Sequence, residues 1–215
     1  MAAELENEIS RDYKRAIIHD LAVAAPGDNE PYIYKTIEVT RENFDGICEH
    51  LRTNPARQEA ATIILFLRFG LTGPEKSHLP QRTPWLCCPS DVEGPLAMLR
   101  MLLVDPIVAR TWPCIDTMDY AAALGAGGEL SILHVKSSDA SAALLALENA
   151  LEDKPPVRAL CLQTRNPLPE NPLSILDLTV DFLEKMHCPG EDALALLSTM
   201  PSKSQQYEII AMMIR

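Results

Sequence analysis

Apolar residues recur along this chain at two spacings, and the alternation between them marks out its elements. Leu5, Ile9, Tyr13, Ile17 and Leu21 stand four apart between Glu4 and Ala24, which is one stripe of an amphipathic helix. Pro26-Gly27-Asp28-Asn29 ends that stripe. Tyr32 to Val39 alternates instead, with Ile33, Ile37 and Val39 on one face, as a half-buried strand does. Thr40 is placed to cap a short helix whose Phe44, Ile47, Cys48 and Leu51 follow the three-and-four spacing. Ala61 to Phe69 is almost wholly apolar and partly β-branched, which predicts a strand covered on both faces.

From Gly70 to Ser90 the chain is dense in glycine and proline. Neither a helix nor a central strand is expected to run through such a stretch. A domain boundary is therefore expected here, dividing a small α/β segment (1–75) and a Pro/Gly-rich loop or linker (76–90) from a larger unit (91–215). A loop of this length is functional or a linker. Trp85 and Leu86 within it are candidates for a partner contact, against the plainer reading in which Trp85 pins the loop to the core.

Ser90-Asp91-Val92-Glu93 has capping-box spacing. It opens a helix through Leu96, Leu99, Leu102 and Leu103 that Pro106 interrupts. Beyond Tyr120 the pattern becomes regular: a strand over Glu129 to Val135, a helix capped at Ser138 and running through Leu144, Leu147 and Leu151, then a strand over Val157 to Gln163. Asn171-Pro172 starts a helix from Leu173 to His187. Two strand-like runs, Ala193 to Thr199 and Tyr207 to Ile214, finish the chain. The carboxy-terminal part thus reads β-α-β-α-β-β, two helices on one covered sheet, in a chain of α/β class.

Composition narrows the function classes. With 215 residues, 47% of them hydrophobic, the chain can bury a full core without disulfide or metal staples. A formal charge of −11 argues against nucleic acid or an anionic membrane as partner, since both attract basic patches. The acidic amino terminus MAAELENEIS lacks the basic start of a targeting signal, and no apolar run approaches a membrane span. A cytoplasmic protein is expected. The six cysteines then read as reduced thiols, with Cys48, Cys114 and Cys161 among apolar neighbours. Cys87 and Cys88 are adjacent and His78 lies upstream, but no CxxC spacing occurs, so no metal is expected.

Candidate chemistry is sparse. Asp116 and Asp119 share a face of any helical turn, as a carboxylate pair for metal or acid–base work would need. They equally suit a helix start, where acidic groups meet the macrodipole. His134 sits in an apolar strand, where a histidine is more often a hydrogen-bonded core residue than a base. Gly125-Ala126-Gly127-Gly128 precedes a strand and not a helix, so it reads as a tight turn before it reads as a phosphate loop. Met212 and Met213 in the last run are core residues by position and adaptable contact residues by chemistry.

From Asp91 to Arg215 the element order resembles the carboxy-terminal domain of the FtsZ/tubulin superfamily. Thr117-Met118-Asp119-Tyr120-Ala121-Ala122 is similar to that family's Asp-rich loop, Asn-Leu-Asp-Phe-Ala-Asp in FtsZ. Arg158-Ala159-Leu160-Cys161-Leu162 is similar to its second strand, and Leu173 to His187 to the following helix. The resemblance implies contact with neighbouring subunits, with Asp119 and Tyr120 at the contact. It also implies what is missing: nothing in residues 1–115 resembles the family's Gly-Gly-Gly-Thr-Gly GTP loop, and the stretch before Asp91 is short for the whole nucleotide domain. The second loop aspartate, which helps activate water in the family, falls at Ala122, and a methyl group cannot polarise water.

The expectation is a non-catalytic assembly or adaptor protein without cofactor. It would bind another protein or itself as a homo-oligomer, without hydrolysing GTP. The competing expectations are a small cytosolic enzyme using Asp116, Asp119, His134 and the Cys87-Cys88 loop, and a ligand-sensing module.

Overall fold

The computed structural model describes residues 16–23, 32–53, 62–109, 115–151, 157–167, 179–182, 194–202 and 204–215. Its strands are β1 (Ile17–Val23), β2 (Tyr32–Val39), β3 (Thr62–Leu67), β4 (Pro84–Cys87), β5 (Gly128–Ser137), β6 (Ala159–Pro167), β7 (Leu194–Ser202) and β8 (Tyr207–Ile214). The helices are α1 (Phe44–Thr53), α2 (Gly73–Lys76), α3 (Glu93–Leu103), α4 (Asp105–Val108), α5 (Thr117–Gly125) and α6 (Ala140–Leu151). Residues 179–182 are also helical.

All eight strands form one mixed sheet in the order β1-β2-β3-β4-β5-β8-β6-β7. β2, β3, β4 and β5 run parallel, with β1 antiparallel at one edge. β8 is antiparallel to both its neighbours β5 and β6, and β7 closes the far edge parallel to β6. β5 is the hinge of this arrangement. Only Gly128 and Glu129 pair with β4, whereas Leu130 to Ser137 pair with β8.

Among the described residues, three apolar clusters hold the sheet. The largest lies on the face shared by both halves, where Leu99, Leu102 and Leu103 of α3 and Ala123 and Leu124 of α5 pack between Tyr34, Ile64 and Phe66 on one side and Cys161, Ile210 and Met212 on the other. The opposite face of β2 and β3 is covered by α1 through Phe44, Ile47, Cys48 and Leu51. The opposite face of β6 and β8 is covered by α6 through Ala143, Leu144, Leu147 and Leu151, joined by Phe182. Because both faces are covered, β3, β6 and β8 are buried along nearly their whole length.

Several sequence expectations change. Residues 17–23 form a strand, not the end of a helix, while Leu5, Ile9 and Tyr13 lie outside the described residues. In β1 the apolar residues Ile17, Leu21 and Val23 fall on one parity with His19 between them, so a four-residue spacing arose from a period of two. The 76–90 stretch carries a central strand: β4 pairs with β3 on one side and β5 on the other. Pro84 is tolerated because it is the first residue of that strand. Thr40 opens a turn, its carbonyl accepting from the Asn43 N–H, and does not cap α1. The caps expected at Ser90 and Ser138 belong one residue later. The Asp91 carboxylate accepts from the N–H groups of Glu93 and Gly94, and the Asp139 carboxylate accepts from Ala142. Apart from residues 179–182, the helix expected over Leu173 to His187 lies outside the described residues, as do Cys114 and Cys188.

Candidate functional site around the start of α5

The segment that carried the Asp-rich resemblance is a helix start. Asp116 adopts an extended backbone as the N-cap of α5. Its Oδ1 accepts from the Met118 N–H at 2.7 Å and from the Asp119 N–H at 3.0 Å. Asp119 reciprocates, its Oδ2 accepting from the Asp116 N–H at 3.0 Å. Two carboxylates thus satisfy three of the N–H groups that a helix leaves without partners at its start. Tyr34 Oη donates to the Thr117 carbonyl at 3.1 Å and ties this turn to β2.

One face of α5 is inside and the other outside. Tyr120, Ala123 and Leu124 are buried, and burial pushes the Tyr120 phenol well above its ordinary pKa. Asp116, Asp119 and Ala122 are exposed, and Met118 exposes 64% of its surface. A two-thirds exposed methionine beside an exposed alanine is an apolar spot on an acidic molecule.

After α5 the chain turns through Gly127 and Gly128, both at positive φ (61° and 117°). A Cβ on Gly127 would collide with the Gln81 carbonyl oxygen, and one on Gly128 with the Arg215 carbonyl oxygen. Glycine is required here because β4, β5 and the end of β8 converge. Glu129 and Arg215 exchange both backbone hydrogen bonds, at 3.1 and 3.0 Å. The glycines therefore serve a close backbone approach.

The other candidates do not gather around α5. His134 Nε2 lies 3.3 Å from the Glu208 carboxylate, which also meets Lys136 Nζ at 3.5 Å. Trp85 is buried in the β3/α1 cluster under the Lys76 ammonium, 5.2 Å from the ring centroid, and Leu86 packs half-buried against the largest cluster. Met212 and Met213 are fully buried on opposite faces of β8, so they offer no surface to a partner. Tyr120 has the same defect, leaving Asp119 as the exposed member of the expected contact set. Cys87 is exposed, whereas Cys48, Cys88 and Cys161 are buried. Burial pushes these three thiols up to about 12, 11 and 12, far from the thiolate range of a nucleophile. Among the described residues no group of three or more His, Cys, Asp or Glu side chains could hold a metal ion.

One feature lay beyond sequence reasoning. A cleft of about 470 Å³ opens between β1 and α3, lined by His19, Asp20, Leu21, Glu93, Arg100 and Asp105 among others. Asp20 is held by the buried Lys35 at 3.0 Å and Asp105 by Arg165 at 2.7 Å. No spacing in the sequence brings these positions together.

No protein-family model matches the chain, and no curated protein matches it. Solved structures do. An empty FtsZ dimer from M. jannaschii superposes with a TM-score of 0.55 at 12% identity, over 84% of this chain and 62% of that one. The fold is tubulin/FtsZ-like. TubZ of Bacillus thuringiensis serovar israelensis in GDP-form protofilaments matches at 0.50 and 7% identity, over 99% of this chain and 66% of that one. A helical model of the two-stranded TubZ-Bt filament matches at 0.56 and 8% identity, over 99% and 64%. The chain spans less than two thirds of the length of each of these three proteins, and identities this low speak for the fold alone. Among the described residues no helix is long and apolar enough to cross a membrane.

Proposed function

We propose that this tubulin/FtsZ-like chain is a non-catalytic assembly module that self-associates, or docks on another protein in the cytoplasm, without hydrolysing GTP. The observation that carries the reading is the state of the Asp116–Asp119 pair. Both carboxylates are occupied by backbone N–H groups of their own helix start, and the next outward position is Ala122. Asp116 Oδ1 accepts two of these bonds and Asp119 Oδ2 one, which gives both side chains a structural task at the helix start, and a methyl group at position 122 cannot polarise water. The likeness to proteins seen as dimers, protofilaments and filaments supports self-association.

The strand-to-helix turn between β2 and α1 points the same way. Thr40-Arg41-Glu42-Asn43 holds no glycine. The Arg41 guanidinium is committed to Glu75 at 2.7 Å and to the Gly70 carbonyl. A turn without glycine is a less favourable place for the backbone nest that cradles a phosphate, which supports the reading.

The test is phosphate release from GTP with magnesium, measured at protein concentrations where light scattering reports assembly. The expected result is assembly with no release above a buffer blank. Sustained turnover lost in both Asp116→Asn and Asp119→Asn, with folding retained, would establish the enzyme reading instead.

A further inference from the structure

The far edge of the sheet carries no charged side chain. β7 has the sequence LALLSTMPS, nine residues without a charged side chain, on a chain of net charge −11. It is the last strand in the sheet order, and among the described residues nothing pairs with its outer side. Ala195 is exposed, and Leu194, Leu196, Leu197 and Met200 are half-buried. A long apolar edge lacking lysine or an inward charge is a template for another strand.

The hydrogen-bond parity of β7 can be read from one contact. The Leu194 N–H donates to the Arg158 carbonyl at 3.0 Å, within a parallel register that sets Leu194 opposite Ala159. In a parallel ladder, alternate residues send both their N–H and C=O to the same side. Leu194, Leu196, Ser198 and Met200 therefore face β6, while Ala195, Leu197, Thr199 and Pro201 turn their backbone groups outward. Pro201 falls on the outward parity, where its missing N–H costs β6 nothing, and it marks where an outer ladder stops.

We propose that the outer edge of β7 is where two copies of this chain pair, strand antiparallel to strand, about a two-fold axis at Leu197. The proposal rests on the self-association reading above and names its surface. In that register Leu197 faces its own copy and Ala195 faces Thr199, giving about six backbone hydrogen bonds. Leu196 then lies opposite Ser198, so no pair in the ladder sets like charges together. The same operation at the other edge fails this condition. β1 carries Asp20 at its centre, held by the Lys35 ammonium at 3.0 Å, so a two-fold there would set two charged pairs against each other, where β7 sets none. Molecules that repel one another at long range meet with least penalty along a strand that carries no charge. An isologous pairing is also closed: it gives a dimer of continuous sheet and goes no further.

The experiment is sedimentation velocity on the full chain over a wide concentration series, comparing wild type with Ala195→Pro and Ala195→Lys. Ala195 is exposed and its N–H points away from β6, so proline there leaves the internal ladder whole. Lysine keeps the backbone unchanged and covers cases in which the proline variant does not fold. The expected result is a wild-type monomer–dimer equilibrium that does not grow beyond dimer, with both variants raising the dissociation constant at least tenfold at an unchanged thermal midpoint. A wild-type dimer indifferent to both substitutions overturns the β7 surface and leaves self-association standing. A series that keeps growing with concentration overturns the two-fold in favour of head-to-tail contact. A wild type that stays monomeric throughout overturns both the surface and the self-association reading.

Discussion

Removing the Asp116 side chain separates a structural cap from a catalytic carboxylate. Asp116→Ala deletes the acceptor of two backbone hydrogen bonds at 2.7 and 3.0 Å, and an N-cap truncated to alanine costs about 0.5–2 kcal/mol. Because both bonds go to one oxygen of an exposed residue, the middle of that range applies, about 1 kcal/mol. For a chain of this length such a loss lowers the thermal midpoint by roughly 2–4 °C. Asp116→Asn keeps an oxygen at the same place and ranks equal as a cap, so its midpoint should stay within about 1 °C of wild type. Asp119→Ala removes one bond, to the Asp116 N–H, and should cost about half as much. The assay is urea denaturation followed by far-ultraviolet circular dichroism, with thermal melts alongside. Equal damage from Asn and Ala at position 116 would refute the hydrogen-bond argument in favour of charge. No damage from either would refute the cap altogether.

Other outcomes follow from single contacts. Gly128→Ala should cost about 2 kcal/mol or more, because a side chain at φ 117° is strained and its Cβ meets the Arg215 carbonyl; chemical denaturation reads this directly, and a neutral result would mean the β5–β8 junction is loose. Among the described cysteines, Cys87 should be alkylated by maleimide well before Cys48, Cys88 and Cys161, because it is exposed and they are buried, while desolvation raises all four thiols; peptide mapping after a short pulse reports the order. The Thr72 backbone N–H donates to Glu75 and holds that carboxyl below its usual range. With the folded pKa depressed, this cap persists above the ordinary glutamate pKa and is lost as pH falls through the lower folded value. The Thr72 amide should therefore titrate with a midpoint below that of an ordinary glutamate in a proton–nitrogen correlation series; a midpoint at or above the ordinary value would contradict the contact.

The physics that made parts of this fold legible also explains the misreadings. α1 was visible because its one buried stripe, Phe44, Ile47, Cys48 and Leu51, is framed by polar residues. β3, β6 and β8 were visible because strands covered on both faces must be continuously apolar. β1 was hidden by arithmetic: residues spaced by four satisfy a period of two as well as one of 3.6, and His19 on the inner parity broke the alternation. β4 was hidden because it is four residues long and begins with a proline. The caps slipped by one where two capping residues stand side by side, as at Ser90-Asp91 and Ser138-Asp139, and spacing cannot choose between them.

The site was legible to the same degree. The three-residue spacing of Asp116 and Asp119 announced a shared face, but only the N–H partners decide that the carboxylates are spent on their own helix. Burial of Met212, Met213 and Tyr120 depends on strands and helices distant in sequence, so nothing local foretold it. The strand-like run from Ala193 to Thr199 was plain to read. Its place as the last strand of the described sheet was not, since strand order is set by long-range pairing.

The measurement closest to the central claim is sedimentation velocity of the full chain across a wide concentration range, with and without GTP and magnesium. Reversible self-association is expected, with the same midpoint concentration in both series. Assembly that appears only with GTP would contradict it.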